Sequence, residues 1–107
     1  MSIVLTETYV VKAERQAEFT ALLNKFLSYK KEHAPLFDGL RSWRLYKQEI
    51  GQPAGLYVEM WEYQGLGQME EINARIFADE GMKAIQAAFH ELIEPATFCA
   101  SIWRPVA

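Results

Sequence analysis

The sequence is short of cysteine, histidine and positive charge. Its one cysteine, Cys99, excludes an internal disulfide and a metal site built from several cysteines. The two histidines, His33 and His90, lack a partner at helical metal-site spacing, such as His-x-x-x-His or Glu-x-x-His. Lysine and arginine number 11 against 14 acidic residues, and no long basic run occurs. We therefore expect no metal, no cofactor and no nucleic-acid partner.

Long apolar segments are missing as well. Every apolar run is far shorter than the ~20 residues that a membrane-spanning helix needs. The first residues, MSIVLTETYVV, have neither the basic leader nor the long apolar core of a secretory signal. We therefore expect no membrane association and a cytoplasmic location. The length of 107 residues predicts one domain, 1–107, with a two-layer core.

Apolar periodicity predicts four strands and two helical regions. The strands are expected at 2–12, 40–49, 55–64 and 96–104, and the helical regions at 13–33 and 68–94. The ADEG stretch, 78–81, predicts a break in the second helical region, because Gly81 inside a helix costs about 1 kcal/mol relative to alanine. The order β-α-β-β-α-β predicts an α+β, ferredoxin-like fold, with a four-stranded antiparallel sheet and the helices on one face.

The third strand, GLYVEMWEYQ, has one unusual face. Leu56, Val58 and Met60 alternate with Tyr57, Glu59, Trp61 and Tyr63, so three aromatic rings surround a carboxylate. The pattern does not show which face packs on the helices. The uncovered face would receive several aromatics, which marks an interaction site. Candidates for a ligand pocket or an interface are Tyr57, Trp61, Trp43 and Trp103. A second copy is the simplest cover, because a two-fold homodimer needs one self-complementary patch.

Two residues are candidates for catalysis, Glu59 and His90. A carboxylate screened by aromatics has a raised pKa and can act as a general base. The alternative, which we favour, is an ion pair, within the chain or across the dimer, between Glu59 and Arg41 or Arg44 of the second strand. His90 could assist a reaction in a pocket beneath its helix, although a surface or half-buried histidine is the default. Cys99, without a basic neighbour to lower its pKa, is expected to be a small buried residue.

Three stretches resemble the dimeric α+β barrel superfamily, which includes antibiotic-biosynthesis monooxygenase-like and NIPSNAP-like small domains. They are VVKAERQAEF at 10–19, YVEMWEY at 57–63 and FADEGMKAIQAAFHELIEP at 77–95. The resemblance covers nearly the whole chain. It implies that the sheets of two copies pack face to face as a dimeric α+β barrel, with the aromatic face as the dimer core.

The resemblance also implies a range of functions. Cofactor-free monooxygenases of the superfamily oxidise flat polyphenols in a cavity between sheet and helices. The haem-degrading branch uses an asparagine on its first strand, with a tryptophan and a histidine in the second helical region. Here Asn24 and Asn73 lie in predicted helices, all tryptophans lie in predicted strands, and only His90 corresponds. This departure argues against haem degradation.

Three hypotheses stay open from the sequence. The first is a homodimeric domain that binds a small apolar or aromatic ligand. The second is a cofactor-independent monooxygenase, or a related isomerase or cyclase, acting on an aromatic or polyketide-like substrate. The third is a structural or partner-binding subunit without a pocket. A cavity lined by His90, Met82 and strand residues would favour the second, and a filled core would favour the third.

Overall fold

Four antiparallel strands form one sheet in the computed structural model of the protein, which describes residues 2–107. The strands are β1 (Ile3–Val10), β2 (Ser42–Lys47), β3 (Leu56–Tyr63) and β4 (Cys99–Trp103). Their order across the sheet is β2-β3-β1-β4, so β1 and β3 are central and pair with each other. This is the order of a ferredoxin-like fold, as the sequence predicts.

Three α-helices lie against the sheet. They are α1 (Gln16–Glu32), α2 (Leu66–Ala78) and α3 (Glu80–Leu92), and short 3₁₀ turns occupy Ala13–Arg15, Ala34–Phe37 and Pro95–Thr97. The α+β class and the antiparallel sheet with helices on one face are confirmed. Within the described residues, no helix combines the length and the apolar character that crossing a membrane requires.

The predicted break in the second helical region is confirmed at Asp79. This residue ends α2 in an extended conformation and caps α3, with its Oδ2 accepting a hydrogen bond from the Met82 backbone N–H at 3.0 Å. The same oxygen accepts one from the Tyr29 hydroxyl at 2.5 Å. Gly81 lies just inside α3, where a Cβ would lie 2.1 Å from the Tyr29 hydroxyl oxygen. Glycine is therefore required by the close approach of Tyr29 from α1.

The inner face of the sheet, which we define as the side toward the helices, carries the aromatic residues. Tyr63 has no exposed surface, and Trp43 and Trp61 pack against the core residue Phe26. The interpretation of the aromatic face of β3 as the contact between two sheets is therefore wrong. Alternation along a strand defines two faces, and the helices of the same chain cover this one.

The outer face, on the opposite side of the sheet, has no cover from the helices. Met60, Arg44 and Trp103 lie on this face. The central strands also contribute β-branched residues to it: Val4, Thr6, Thr8 and Val58. Cys99 is exposed here, at the beginning of edge strand β4, so its predicted burial is wrong. An edge strand whose outer face is bare leaves a small residue open to solvent.

Candidate active site

A cavity of about 340 Å³ lies between the inner face and the three helices. Its walls are mainly aliphatic and aromatic side chains, including Phe19, Leu22, Phe26, Ile76, Met82 and Ile85. Polar groups come mostly from the sheet: Glu7, Tyr9, Glu59 and Tyr63, with Asn73, Gln86 and His90 from the helices. Small-molecule sites commonly have this composition, an apolar enclosure with a few convergent polar groups, and volumes from roughly 300 Å³ upward.

Glu59 lies at the centre of the sheet, where two hydrogen bonds fix its carboxylate. The Tyr9 hydroxyl donates to Oε2 at 2.7 Å from β1, and the Trp43 indole N–H donates to Oε1 at 3.1 Å from β2. Burial raises the pKa of Glu59, while the hydrogen bonds from Tyr9 and Trp43, together with the nearby Trp61 indole, lower it and partly offset burial. The carboxylate is therefore held in one orientation against the cavity.

The predicted ion pair between Glu59 and an arginine of the same chain is wrong. Arg44 pairs with Met60 in the strand register and belongs to the outer face, whereas Glu59 stands opposite Leu45. Arg41 precedes β2, and its backbone N–H bonds to the carbonyl of Glu62, farther along the strand. None of the salt bridges found within residues 2–107 involves Glu59. Alternation of side chains places the nearest arginine on the wrong side of the sheet.

Glu7 is the functional candidate that the sequence analysis missed. It stands directly opposite Glu59 in the β1–β3 register and lines the same cavity. The alternation along β1 held the signal, because Glu7 falls between Leu5 and Tyr9 in an otherwise apolar row. A single carboxylate in the buried row of a strand has no structural reason to be there, since burying it without a cation is unfavourable.

The two carboxylates raise each other's affinity for protons. Burial, and then the charge of Glu59, raise the pKa of Glu7 from 4.5 to about 7, with the Trp61 indole opposing them. The Trp61 Nε1 itself is buried and has no hydrogen-bond partner among residues 2–107. Because like charges in one enclosed site do not ionise independently, the pair titrates as a unit. Near neutral pH the carboxylate pair can therefore either bind a proton or release one.

The tyrosines of the cavity remain neutral donors. Burial, followed by the charge of Glu59, raises the pKa of the Tyr9 hydroxyl. Burial, followed by the charge of Glu7, raises the pKa of Tyr63, whose hydroxyl donates to Asn73 Oδ1 at 3.0 Å. That bond orients the Asn73 side-chain amide, which lines the cavity from α2. Its N–H groups form no other hydrogen bond within the described chain and can serve a ligand.

His90, the second catalytic candidate, lies at the rim. It is exposed on the last turn of α3 and lines the cavity together with Phe77 and Phe98, which are also exposed. The His90 and Phe98 ring centroids are 6.3 Å apart. These three residues mark where the cavity meets solvent, whereas Glu7 and Glu59 lie on its floor. His90 is therefore placed to contact an entering molecule.

The four aromatic candidates fall into three environments. Trp43 and Trp61 line the cavity with their ring centroids 6.2 Å apart. Tyr57 is on the inner face but outside the lining, where it packs against Phe19 at 4.9 Å between centroids. Trp103 is on the outer face, 59% exposed, and its indole N–H donates to a threonine of β1 at 2.7 Å. Only the first two are positioned for a ligand in this cavity.

The described residues contain no group of three or more histidine, cysteine, aspartate or glutamate side chains arranged to hold a metal ion. The cavity floor offers two opposed carboxylates, with hydrogen-bond donors beside one of them. This donor set suits the transfer of protons, since it combines a fixed carboxylate with one that titrates near neutrality.

Solved structures share this fold. A NIPSNAP family protein from Agrobacterium tumefaciens superposes with a TM-score of 0.78 at 22% identity, covering 98% of this chain and 86% of that one. An uncharacterised NIPSNAP-like domain protein from Burkholderia xenovorans gives 0.75 at 18%, covering 99% and 86%. A candidate antibiotic biosynthesis monooxygenase from Caulobacter crescentus gives 0.73 at 17%, covering 99% and 91%.

These likenesses confirm the resemblance to NIPSNAP-like and antibiotic-biosynthesis monooxygenase-like domains at the level of the fold. At this sequence identity they carry no further argument about activity. No protein-family model matches the sequence, and no curated protein matches it.

Proposed function

We propose that this chain is a homodimeric α+β barrel domain that binds a small, flat aromatic molecule between its sheet and its helices. The carrying observation is the cavity of about 340 Å³, with apolar walls and hydrogen-bonding groups gathered on its floor. A filled core would favour a structural subunit, and the cavity argues against that hypothesis. Its lining includes His90, Met82 and strand residues, the combination that favours an enzyme.

The arrangement of rings supports a flat ligand. Phe26 meets Trp43 edge to face at 5.1 Å between centroids, and Trp43 meets Trp61 in the same way. Aromatic rings favour edge-to-face and offset-stacked contacts, so a further ring can extend this set. A hydroxyl or carbonyl on that ring would reach the polar floor. We therefore expect an apolar bicyclic or tricyclic molecule that carries oxygen.

Tryptophan fluorescence can test ligand binding. Titration with 2-naphthol should quench the emission saturably, because Trp43 and Trp61 line the cavity. The matched controls are Trp103→Phe, which removes the tryptophan of the outer face, and Trp43→Phe, which removes one of the cavity. Quenching should persist in the first variant and diminish in the second. Quenching that disappears only with Trp103 would place the ligand on the outer face and contradict the proposal.

The proposed dimer forms through the outer face. This face has no cover from the helices, and its centre holds Val58, between Thr8 and Tyr46 on the neighbouring strands. A stable interface of standard size removes roughly 800 Å² from each partner, which is comparable to one side of a four-stranded sheet. A second copy in two-fold symmetry would present the same residues and cover both faces at once.

Sedimentation velocity can test this interface. The wild-type chain should sediment as a dimer, and Val58→Lys should be monomeric because it places a charge at the centre of the contact. Ile50→Lys, in the exposed loop between β2 and β3, is the matched control and should remain a dimer. A wild-type monomer at micromolar concentration would overturn the dimer proposal.

A second candidate function is cofactor-independent catalysis on an aromatic or polyketide-like substrate, as a monooxygenase or a related isomerase or cyclase. The observation favouring it is the pair Glu7 and Glu59 in an apolar enclosure, where a general base works near neutral pH. Incubation with a naphthalenediol in an oxygen electrode separates the reaction types. Enzyme-dependent oxygen uptake that Glu7→Gln lowers would support a monooxygenase. Turnover without oxygen uptake would support an isomerase or cyclase.

A further inference from the structure

The two carboxylates on the cavity floor differ in their hydrogen bonds. Each carboxylate oxygen of Glu59 accepts one hydrogen bond, one from the Tyr9 hydroxyl and the other from the Trp43 indole N–H. No comparable pair of donors fixes Glu7 within residues 2–107: it faces the same cavity, and the Trp61 indole is the one group there that lowers its pKa. Hydrogen bonds to a carboxylate stabilise its ionised form and weaken it as a base. Glu7 is therefore the stronger base of the two.

The groups around Glu7 leave its charge uncompensated. The titratable groups that face the cavity are Tyr9 from β1, Glu59 and Tyr63 from β3, and His90 from α3. The cavity-facing residues of α1, α2, β2 and the segment before β4 carry no ionisable side chain. His90 is at the exposed rim, so no cation is enclosed with the pair. A proton is the natural counterion on this floor.

An amide donor, Asn73 of α2, lines the same cavity as Glu7. Burial, followed by the charge of Glu7, raises the pKa of Tyr63. The Tyr63 hydroxyl donates a hydrogen bond to the side-chain carbonyl oxygen of Asn73 at 3.0 Å. This bond fixes the amide of Asn73 and leaves its N–H groups for another acceptor. A base and an amide donor that line one apolar enclosure can together stabilise an enolate.

We propose that Glu7 takes a proton from the carbon next to a carbonyl group of a flat bicyclic ketone, while Asn73 donates a hydrogen bond to the carbonyl oxygen. Glu59 is then a positioning residue, which keeps a fixed negative charge opposite Glu7. The inference rests on the proposed ligand-binding function and assigns to it a substrate class, enolisable aromatic ketones.

The step balances without an oxidant. The carbon–hydrogen bond breaks, its electron pair forms the enolate double bond, and the negative charge moves to the oxygen that faces Asn73. Glu7 becomes a carboxylic acid and later returns its proton to the same carbon or to another carbon of the enolate. The outcome is proton exchange or isomerisation. Burial and the charge of Glu59, which raise the pKa of Glu7 to about 7, suit a base that works near neutrality.

Proton exchange of α-tetralone in D₂O, followed by proton NMR, tests this step. The wild-type chain should accelerate exchange next to the carbonyl above the buffer rate, with saturation. Glu7→Gln should lower the enzymatic rate by about 100-fold or more, the usual contribution of a general base. Glu7→Asp, which keeps the charge but shortens its reach, should also lose rate. Glu7→Gln exchange as fast as wild type would overturn the proposal.

The other variants separate the roles. Glu59→Gln should retain exchange but shift its pH profile to lower pH, because the opposing charge is gone. Asn73→Ala should slow exchange without changing this profile. Abolished exchange in Glu59→Gln with normal exchange in Glu7→Gln would assign the base to Glu59. Carbon-detected NMR of the Glu7 carboxyl gives an independent readout, and a midpoint at the ordinary value of a glutamate would overturn the proposal.

Binding is measured in parallel, by quenching in the Trp103→Phe background. Tetralone that binds but does not exchange would overturn the Glu7 proposal and leave the ligand-binding proposal standing. If neither tetralone nor 2-naphthol binds, both proposals fail. Binding with exchange that depends on Glu7 supports both.

Discussion

The two faces of this sheet share one backbone and differ in what covers them. The inner face lies under three helices and carries Trp43, Trp61 and two carboxylates around a cavity. The outer face carries mainly small and β-branched residues, and Trp103 there is largely exposed. The less stable arrangement, a pair of carboxylates with no cation, is thus on the covered side. A protein that departs from good packing on its covered face commonly does so at a functional site.

The largest expected contrast is between tryptophans of opposite faces. Trp61→Ala should lower the free energy of unfolding by about 3 kcal/mol, because the half-buried indole packs against Phe26 and its loss enlarges the cavity. Trp103→Ala should lower it by about 1 kcal/mol or less, because exposed side chains contribute little. Urea denaturation measures both. Equal losses would contradict the comparison, and a Trp103 effect that grows with protein concentration would identify the outer face as an interface.

The next contrast depends on pH. Glu7 titrates at 4.5 when unfolded and at about 7 when folded, so between these values the folded protein holds the extra proton. The free energy of unfolding should therefore fall as pH rises through this window and level off above it. At about 1.4 kcal/mol per pH unit, the fall is about 3 kcal/mol.

Glu7→Gln should remove most of this fall, so the variant should be more stable than wild type in mild alkali and similar to it in acid. Thermal or urea denaturation across the pH range measures the difference. Thr8→Val, the outer-face neighbour of Glu7, is the control and should keep the wild-type slope. A Glu7→Gln profile parallel to that of wild type would show that Glu7 titrates normally.

A smaller effect is expected from the donor to Glu59. Tyr9→Phe should lower the free energy of unfolding by about 1.5 to 3 kcal/mol where Glu59 is ionised, since bonds to charged groups are strong. The loss should shrink in acid, because the missing hydrogen bond raises the pKa of Glu59 further. Tyr57→Phe, which removes a bond to the Gln16 amide oxygen at 3.1 Å, should cost about 1 kcal/mol. If Tyr57→Phe lost as much stability as Tyr9→Phe, with the same dependence on pH, the bond from Tyr9 would not differ from a bond to a neutral group.

The smallest effect is expected on the outer face. Thr6→Val removes the acceptor of the Trp103 indole N–H while keeping the shape of the side chain. The free energy of unfolding should change by about 0.5 kcal/mol or less, because water can replace the lost partner. Urea denaturation of Thr6→Val beside the wild-type chain measures this change. A loss above 1 kcal/mol, roughly that of a buried hydrogen bond, would show that the outer face is covered in solution.

The order of elements followed from the sequence because apolar periodicity is a local property. The break between α2 and α3 was also predicted from a local feature, the glycine at position 81. In the structure Asp79 ends α2 and caps α3, and Gly81 makes room for the Tyr29 side chain. The covered side of β3 was not predictable in this way. It depends on where helices that are distant in sequence come to lie, and alternation along Tyr57 and Glu59 is compatible with either side.

The candidate site was predicted in part. Glu59 and His90 line the cavity, but the expected partner of Glu59 was an arginine, and the structure provides Tyr9 and Trp43. The prediction matched the charge of Glu59 with an opposite charge, so it could not identify the neutral donors Tyr9 and Trp43 on the neighbouring strands. Glu7 was overlooked since its meaning comes from the strand register that places it opposite Glu59. Its position in an apolar row was the one local sign.

Strand β1, which carries Glu7, pairs on both sides with strands that come much later in the chain. The Tyr9–Glu59 hydrogen bond joins residues 50 positions apart, and the bond between Trp103 and Thr6 joins residues 97 apart. Contacts of such high sequence separation slow folding, because loop closure precedes the favourable interactions. During synthesis, β1 is made before both of its neighbours, β3 and β4. The carboxylate pair therefore forms only after β3 has been made, and Glu7 is exposed to the solvent until then.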